Sequence, residues 1–416
     1  MKQTILTFIT AIEPAKSKEL TALLAKIQVD LYGNDYIPFA SIGLLHFASF
    51  VIVDNANQAP LLIFENNFDD DLAAYLDELL SVAGKGLHQV YQSCKGYTSA
   101  AYEPQNLKDY LTVHIVRPNA FHIGNVGRKS KDIHHNRQLR LSTESFLDKL
   151  MTIQKPSGLK PVDLRKKIQN FDQTLNNNLF SALPAHQTFW QKFIPWVNLV
   201  LAAIFAAVLI IGLFPVFIIA IWYLSYKENR DKSVTAPAPL GHVNVLMDSE
   251  NKIAQNHLAS ITMIKPGWFR LNLLKVVLFA ANLLARTSNK GTLSGIPSIH
   301  FAHWSIIGNN QLLFLSNFDG SWSSYLDDFI DKAHNGLTGI WSNTVGFPKT
   351  RFLVFEGATD ELRFKAFARN MQVPSQVWYS AYPDLTVQNI DSDSAIRENV
   401  LPELSEAETK NWLKLF

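Results

Sequence analysis

The chain carries one pattern twice, and duplication constrains a fold more tightly than composition does, because both copies must adopt a single plan. Residues 65–97 align without gaps to residues 315–347. Identical pairs are Asn67/Asn317, Phe68/Phe318, Asp69/Asp319, Tyr75/Tyr325, Leu76/Leu326, Asp77/Asp327, Ala83/Ala333, Gly86/Gly336, Leu87/Leu337 and Gly96/Gly346. Average residue usage would give roughly two matches in such a window. His46-Phe47-Ala48 recurs as His300-Phe301-Ala302, and Thr10 to Pro14 recurs as Thr262 to Pro266. The spacing of Ile133, Leu139 and Arg140 recurs as Ile390, Ile396 and Arg397. The repeat therefore spans most of both halves, with copies expected over 1–150 and 256–401 and a tail over 402–416.

Each copy reads in the same order. A strand (4–12; 257–264) leads to a helix (16–28; 269–286), then to two neighbouring strands (44–53 with 61–65; 298–307 with 311–316). A second helix follows (70–93; 321–342), and then a final strand (111–117 or slightly later; 376–382). The polar tips Asp54-Asn55-Ala56-Asn57 and Gly308-Asn309-Asn310 are hairpin signals. The result is an α+β chain of two βαββαβ units, the ferredoxin-like split βαβ arrangement.

Between the copies lies a long apolar run. From Ile194 to Leu224 the only strongly polar residue is Asn198, and Trp190, Trp196, Trp222, Tyr223 and Tyr226 stand at its rims, as in interfacial aromatic belts. One straight span needs about 20 residues, so this run is long for one and short for two, with Gly212-Leu213-Phe214-Pro215 near its middle. Lys155, Lys160, Arg165, Lys166, Lys167 and Lys192 precede it, and Lys227, Arg230 and Lys232 follow. Basic residues on both flanks make both cytoplasmic. The expected anchor over 193–226 is thus either a helical hairpin dipping into one leaflet or one kinked span, joined by linkers over 151–192 and 227–255. A second apolar stretch, Trp268 to Arg286, carries Arg270, Asn272, Lys275 and Asn282 as a narrow polar stripe. It reads either as an interfacial helix or as a core helix on its own sheet.

Composition excludes more than it assigns. With 38 lysines and arginines against 36 acids, no basic face is demanded and nucleic acid is not an expected partner. One cysteine, Cys94, excludes an internal disulfide framework and a closed multi-thiolate metal site. The apolar stretch from Ile5 to Ile12 is interrupted by Thr7 and Thr10 and ended by Glu13-Pro14, so it reads as a strand, leaving the N-terminal half in the cytosol. No P-loop, dinucleotide fingerprint, Gly-x-Ser-x-Gly elbow or His-Glu-x-x-His occurs.

Two such units in one chain resemble the dimeric α+β barrel superfamily in its fused form, which includes dye-decolorising haem peroxidases and chlorite-dismutase-like proteins. The resemblance implies two sheets packed face to face, on one side of a bilayer if they pair within the chain. Asp319-Gly320 is similar to the end of the GxxDG motif of those peroxidases, whose aspartate assists peroxide cleavage, with Ser316 at the first glycine and Asp70 at the second glycine of the other copy. Haem is the cofactor so implied. The last histidine is His334, inside the helix after Asp319, so the family's downstream proximal ligand is missing, and His122, His134 or His135 would have to serve.

Candidate residues follow from the repeat. His46 and His300 occupy one place in both copies and could act as acid and base or as ligands, or could bond backbone groups inside the fold. Strand alternation puts His300, Ala302 and Trp304 on one face and Phe301, His303 and Ser305 on the other. Catalytic candidates are therefore His46, His300, His303 and Asp319, although Asp69 and Asp319 also suit N-caps of the helices that follow them. His122, Arg140, Trp304, Trp378, Tyr379 and Arg397 could bind an anionic head group or carboxylate with its apolar tail between the sheets. The arginines equally suit surface or capping roles. Two functions stay open: a peroxidase-like oxidoreductase acting on apolar or lipid substrates, and a non-enzymatic membrane-associated protein that binds lipid or serves as a scaffold. Membrane lipid is the expected partner, and an oligomer is compatible with either.

Overall fold

The computed structural model describes residues 3–54, 58–153, 160–174, 189–234, 236–287, 292–308 and 310–416. Asn55, Ala56, Asn57 and Asn309 of the two hairpin tips and Lys155 of the upstream basic flank lie outside them.

Strand β1 (Gln3–Ala11) leads to helix α1 (Ser17–Val29), strands β2 (Leu45–Val53) and β3 (Leu61–Asp69), and helix α2 (Leu72–Tyr91). Helix α3 (Pro104–Val113) precedes β4 (Ile115–Val116), β5 (Ala120–Ile123) and α4 (Ser130–Ile153). Helices α5 (Pro161–Thr174), α6 (Phe189–Gly212), α7 (Phe214–Glu228) and α8 (Leu240–Met247) occupy the middle of the chain. The second half runs β6 (Gln255–Met263), α9 (Trp268–Thr287), β7 (Ile299–Ile307), β8 (Gln311–Asp319) and α10 (Trp322–Trp341). A small ribbon, β9 (Thr350–Arg351) with β10 (Phe355–Glu356), precedes α11 (Glu361–Met371), β11 (Gln372–Val373), β12 (Ser375–Ser380), α12 (Val387–Val400) and α13 (Glu406–Leu413).

The mixed α+β chain builds two five-stranded antiparallel sheets with orders β12-β2-β3-β1-β4 and β11-β6-β8-β7-β5. Strand for strand the two orders match. The expected final strands are corrected in both halves. Leu111 to Val113 end α3, and only Ile115–Val116 pair with β1. The following strand crosses over: β5 pairs with β7 of the second half, placing Ala120 opposite Trp304, while β12 pairs with β2 of the first, placing Val377 opposite Phe50. Each crossing strand covers an edge that would otherwise present unpaired N–H and C=O groups.

Helices cover the outer faces. On the first sheet, Leu20, Leu24 and Ile27 of α1 and Leu79, Ala83 and Leu87 of α2 enclose Phe8, Phe50 and Phe64. On the second, Leu274 and Leu278 of α9 and Phe329, Ala333 and Leu337 of α10 enclose Trp304 and Phe314. Their spacing of three and four residues puts these side chains on one helical face. The inner faces meet each other through Val51, Val53 and Ile63 against Ala259, Leu313 and Leu315. Phe47 and Phe301 form a second junction, with ring centroids 5.8 Å apart.

Among the described residues two helices are long and apolar enough to cross a membrane: Phe193–Gly212, with mean hydropathy 2.6, and Trp268–Arg286, with 1.4. The first continues through a one-residue joint at Leu213 into α7. Leu213 belongs to both: its N–H bonds Leu209 O at the end of α6, and its carbonyl accepts from Phe217 in the first turn of α7. The side chains from Leu201 to Ile219 are almost all exposed, yet both arms return to the same body. α6 packs on α9. At the end of α7, Tyr223 meets Phe269, and the buried Glu228 accepts from Thr350 Oγ1 and from the Phe352 and Leu353 amides. Asp231 then ties Lys265 and Arg270 at 2.6 and 2.7 Å.

Candidate functional site

The duplicated histidines sit at β-bulges. Register shifts between Leu45 and Phe47 in β2 and between Ile299 and Phe301 in β7, so the alternation expected for β7 fails at His300. The bulge turns His300 to the inner side, where its ring lies 5.2 Å from Phe47, while Ala302 and Trp304 keep the outer face. The mirror contact, His46 to Phe301, is 5.3 Å.

Each histidine faces an aspartate at the end of the neighbouring strand. His300 donates from Nε2 to Asp319 Oδ1 at 2.7 Å. His46 Nε2 stands 3.1 Å from Asp69 Oδ1, out of line for a hydrogen bond. The other oxygen of each carboxylate accepts a helix-terminal amide: Asp69 Oδ2 from Ser130 of α4, and Asp319 Oδ2 from Val387 of α12, both at 2.8 Å. The expectation that Asp69 and Asp319 cap the helices immediately after them is therefore corrected. Asp71 and Ser321 do that, accepting from Ala74 and Ser324. Asp70 and Gly320 between them both adopt left-handed backbone, with φ of +67° and +79°. The Asp-Asp and Asp-Gly pairs thus share a turn geometry, which glycine and aspartate tolerate better than most residues.

One residue breaks the symmetry of the pair. Tyr382 OH lies 2.9 Å from His46 Nδ1, whereas His300 Nδ1 has no hydrogen-bond partner among the described residues. Burial, followed by the nearby charges of Asp69 and Asp319, pushes the Tyr382 hydroxyl well above its ordinary pKa, so it stays protonated.

A second polar cluster, of which only His303 and Trp378 stood out in the sequence, crosses the gap between the sheets. Glu65 of β3, fully buried, accepts from Ser49 Oγ at 3.0 Å and from Asn67 Nδ2 at 3.2 Å on its own sheet. From the facing sheet come His257 Nε2 at 3.0 Å, Asn317 Nδ2 at 3.4 Å and His303 Nδ1 at 3.6 Å. Burial would raise the Glu65 carboxyl, but the hydrogen bond and charge of His257, with His303 and Asn67 adding, outweigh it and hold the group below its ordinary value. His303 is pushed down to about 4 by burial, against the opposing pull of Glu65. It is neutral near pH 7, with Nε2 3.1 Å from Thr7 Oγ1. His257 Nδ1 meets Ser375 Oγ at 2.7 Å, and Trp378 donates from Nε1 to Asn317 Oδ1 at 2.8 Å. Copy two has Leu315 where copy one has Glu65, and a lone acid in the run Leu61-Leu62-Ile63-Phe64 was the available signal.

The remaining candidates scatter. Arg140 bonds Asp393 and Glu144, and Arg397 donates to Asn136 Oδ1 at 2.9 Å, so the repeated arginines stitch α4 to α12. Tyr379 stacks on Phe39 at 5.1 Å on the outer side of the first sheet. His122 is buried on β5 opposite Ala302. Haem, which the resemblance implies, does not fit at the paired histidines. Both rings are at most 1% exposed, their Nε2 atoms face carboxylates, and Phe47, Phe301 and Tyr382 cover their faces. Among the described residues no group of three His, Cys, Asp or Glu is arranged to hold a metal ion.

Trp304 belongs to a different place. It lines a largely apolar cavity of about 390 Å³ between the second sheet and its helices, with Ala281 and Ala285 of α9, and Phe329, Gly336 and Leu337 of α10. Phe121 at the sheet edge also lines it, and Arg286 lies over that ring at 5.2 Å. Comparison with protein-family models, with curated proteins and with solved structures finds no match for this chain.

Proposed function

We propose that this chain is a membrane-attached protein that holds an apolar or lipid ligand without chemically converting it. The observation that carries the reading is the apolar cavity beneath α9, the helix against which the exposed apolar arm α6 packs. Exposed Val200, Leu201, Ile204, Phe205 and Val208 on α6, with Val276, Phe279 and Leu284 on α9, form a surface too apolar to face water alone. A ligand leaving a bilayer at this surface would need to move only past α9.

We further infer that the halves are two ferredoxin-like repeats paired as an intramolecular α+β barrel on one side of the membrane, the cytoplasmic one by the basic flanks. Supporting this are the matched strand orders, the exchanged strands and the return of both α6 and α7 to the same body. A peroxidase-like reading would place chemistry at His46 and His300, whose rings solutes do not reach.

The test is native mass spectrometry of the detergent-purified full chain. Lipid adducts are expected on the wild type and are expected to be lost in Gly336→Leu, where an added Cβ meets nothing within 4 Å and the side chain would fill the cavity. A wild type without adducts that also takes up no added lipid would overturn the reading.

A further inference from the structure

We propose that the β9–β10 ribbon is a second membrane contact, lying in the headgroup layer beside the α6–α7 arm and recognising anionic phospholipid; this rests on the membrane-attached reading above.

The end of α7 grades from apolar to cationic. Trp222, 68% exposed, stacks on Tyr226 at 5.9 Å, and Arg230 lies over the Tyr226 ring at 3.8 Å. A neighbouring row repeats the step, with Lys227 over Tyr223 at 5.4 Å. Spacings of four residues bring each of these pairs together. Amphipathic rings settle at headgroup level, and cationic side chains beside them reach outward to the polar layer. The water–lipid boundary of an inserted arm therefore crosses the chain between Trp222 and Arg230.

The ribbon is fixed at that level. Buried Glu228, two residues before Arg230, accepts from Thr350 Oγ1 and from the Phe352 and Leu353 amides, so it holds the turn between β9 and β10. Phe352 and Leu353 have φ of +49° and +71°, left-handed conformations that tight turns ordinarily give to glycine or asparagine. Bulky side chains there are strained, and such strain persists only where the surroundings impose it. The turn leaves Phe352 42% and Phe355 56% exposed. Arg351, paired with Phe355 across the ribbon, lies 5.4 Å from the Phe352 ring. In water the two exposed rings offset none of the strain; at a bilayer interface their burial does.

Charge selects the lipid. Segments 227–232 and 349–356 carry Lys227, Arg230, Lys232, Lys349 and Arg351 against Glu228, Asp231 and Glu356. Glu228 is spent on the ribbon and Asp231 on Lys265 and Arg270, which leaves Glu356 to oppose five cations. None of the five forms an ion pair among the described residues. Each basic residue near an anionic surface strengthens attachment by about fivefold, and the anionic leaflet is the cytoplasmic one, the side proposed above for both halves.

The experiment reconstitutes the full chain, with Phe355→Cys carrying an environment-sensitive fluorophore, into vesicles of phosphatidylcholine with increasing phosphatidylglycerol. Emission should strengthen and shift to the blue as phosphatidylglycerol rises, whereas the same fluorophore at Lys18→Cys on α1 should not respond. Arg230→Gln or Arg351→Gln should each raise the phosphatidylglycerol fraction needed for half the response by about fivefold. Salt at about 1 M, which shortens the screening length to about 3 Å, should reverse the response in the chain that keeps all its cations. A silent probe at position 355, an equal response in phosphatidylcholine alone, or a response unchanged in the glutamine variants would each overturn the proposal. Should those variants fail to fold, the salt dependence decides, and a response that survives high salt overturns it. Flotation of the same vesicles tests the underlying reading separately. A chain that floats with a silent probe is still membrane-attached, whereas one that floats with no vesicle removes both.

Discussion

At the scale of single residues, Glu65 carries the most consequential contacts, because it is a buried carboxylate that both sheets must satisfy. Glu65→Gln keeps the shape but removes the charge that His257 and His303 face, and it should cost about 3 kcal/mol by analogy with a broken buried ion pair. Urea titration monitored by circular dichroism measures it, and an unchanged midpoint would show that the carboxylate contributes nothing. The same cluster sets a pH response. The unfolded chain protonates a histidine near 6.5, whereas folded His303 resists until about 4, so the unfolded state binds more protons between those values and stability falls with acidification. Glu65 acts with the same sign lower down, since a depressed carboxyl stabilises the fold above its ordinary range and loses that contribution as pH falls through its folded value. Thermal melts should therefore decline from about pH 6.5 to about pH 4, with a shallower decline in His303→Gln. A flat profile in the wild type would contradict the assignment.

At the scale of elements, the paired glycines separate two causes of one sequence identity. Gly86 in α2 is required by the Tyr36 carbonyl, so Gly86→Ala must displace backbone and should destabilise by about 2 kcal/mol. Gly336 in α10 meets no such neighbour, and Gly336→Ala should stabilise by about 0.5–1 kcal/mol through helix propensity alone. Opposite signs in thermal melts are the expected outcome; two equal losses would mean that both glycines are sterically required. The aspartates make a similar point. Asp319 bonds His300 and the first amide of α12 together, so Asp319→Ala should cost more than the ~1 kcal/mol of a simple cap. Ser321→Ala, which removes only the cap of α10, should cost about that much. Equal losses in the two variants would reduce Asp319 to an ordinary cap.

At the scale of the whole molecule, the exchanged strands bind the halves to each other, since each sheet is completed by the other half's β-strand. With the halves interlocked, the one-sided membrane attachment proposed above requires the apolar segment between them to leave and re-enter the bilayer on the same side. Cysteines introduced at the exposed positions Lys18 and Lys332, one in each half, should react with a membrane-impermeant maleimide from the same side of sealed vesicles, against little background from the buried Cys94. Labelling from opposite sides would exclude the one-sided arrangement.

Reading the chain alone was enough for the strand, helix, two strands and helix that open each half and for the apolar segment, because each rests on local periodicity or on identity between copies. It was not enough for what the copies do to each other. The crossing of β5 and β12 depends on which sheet edge lies nearest, and alternation could not anticipate a bulge that turns His300 inward. The Glu65 cluster was illegible for the same reason: Glu65, His257 and His303 lie on different strands, in positions where the copies differ, and come together only when the sheets face one another. The identity of Gly86 and Gly336 likewise hides a packed site in one half and an open cavity in the other. Local pattern encodes the elements, whereas contacts between elements distant in sequence decide which side chains share an environment.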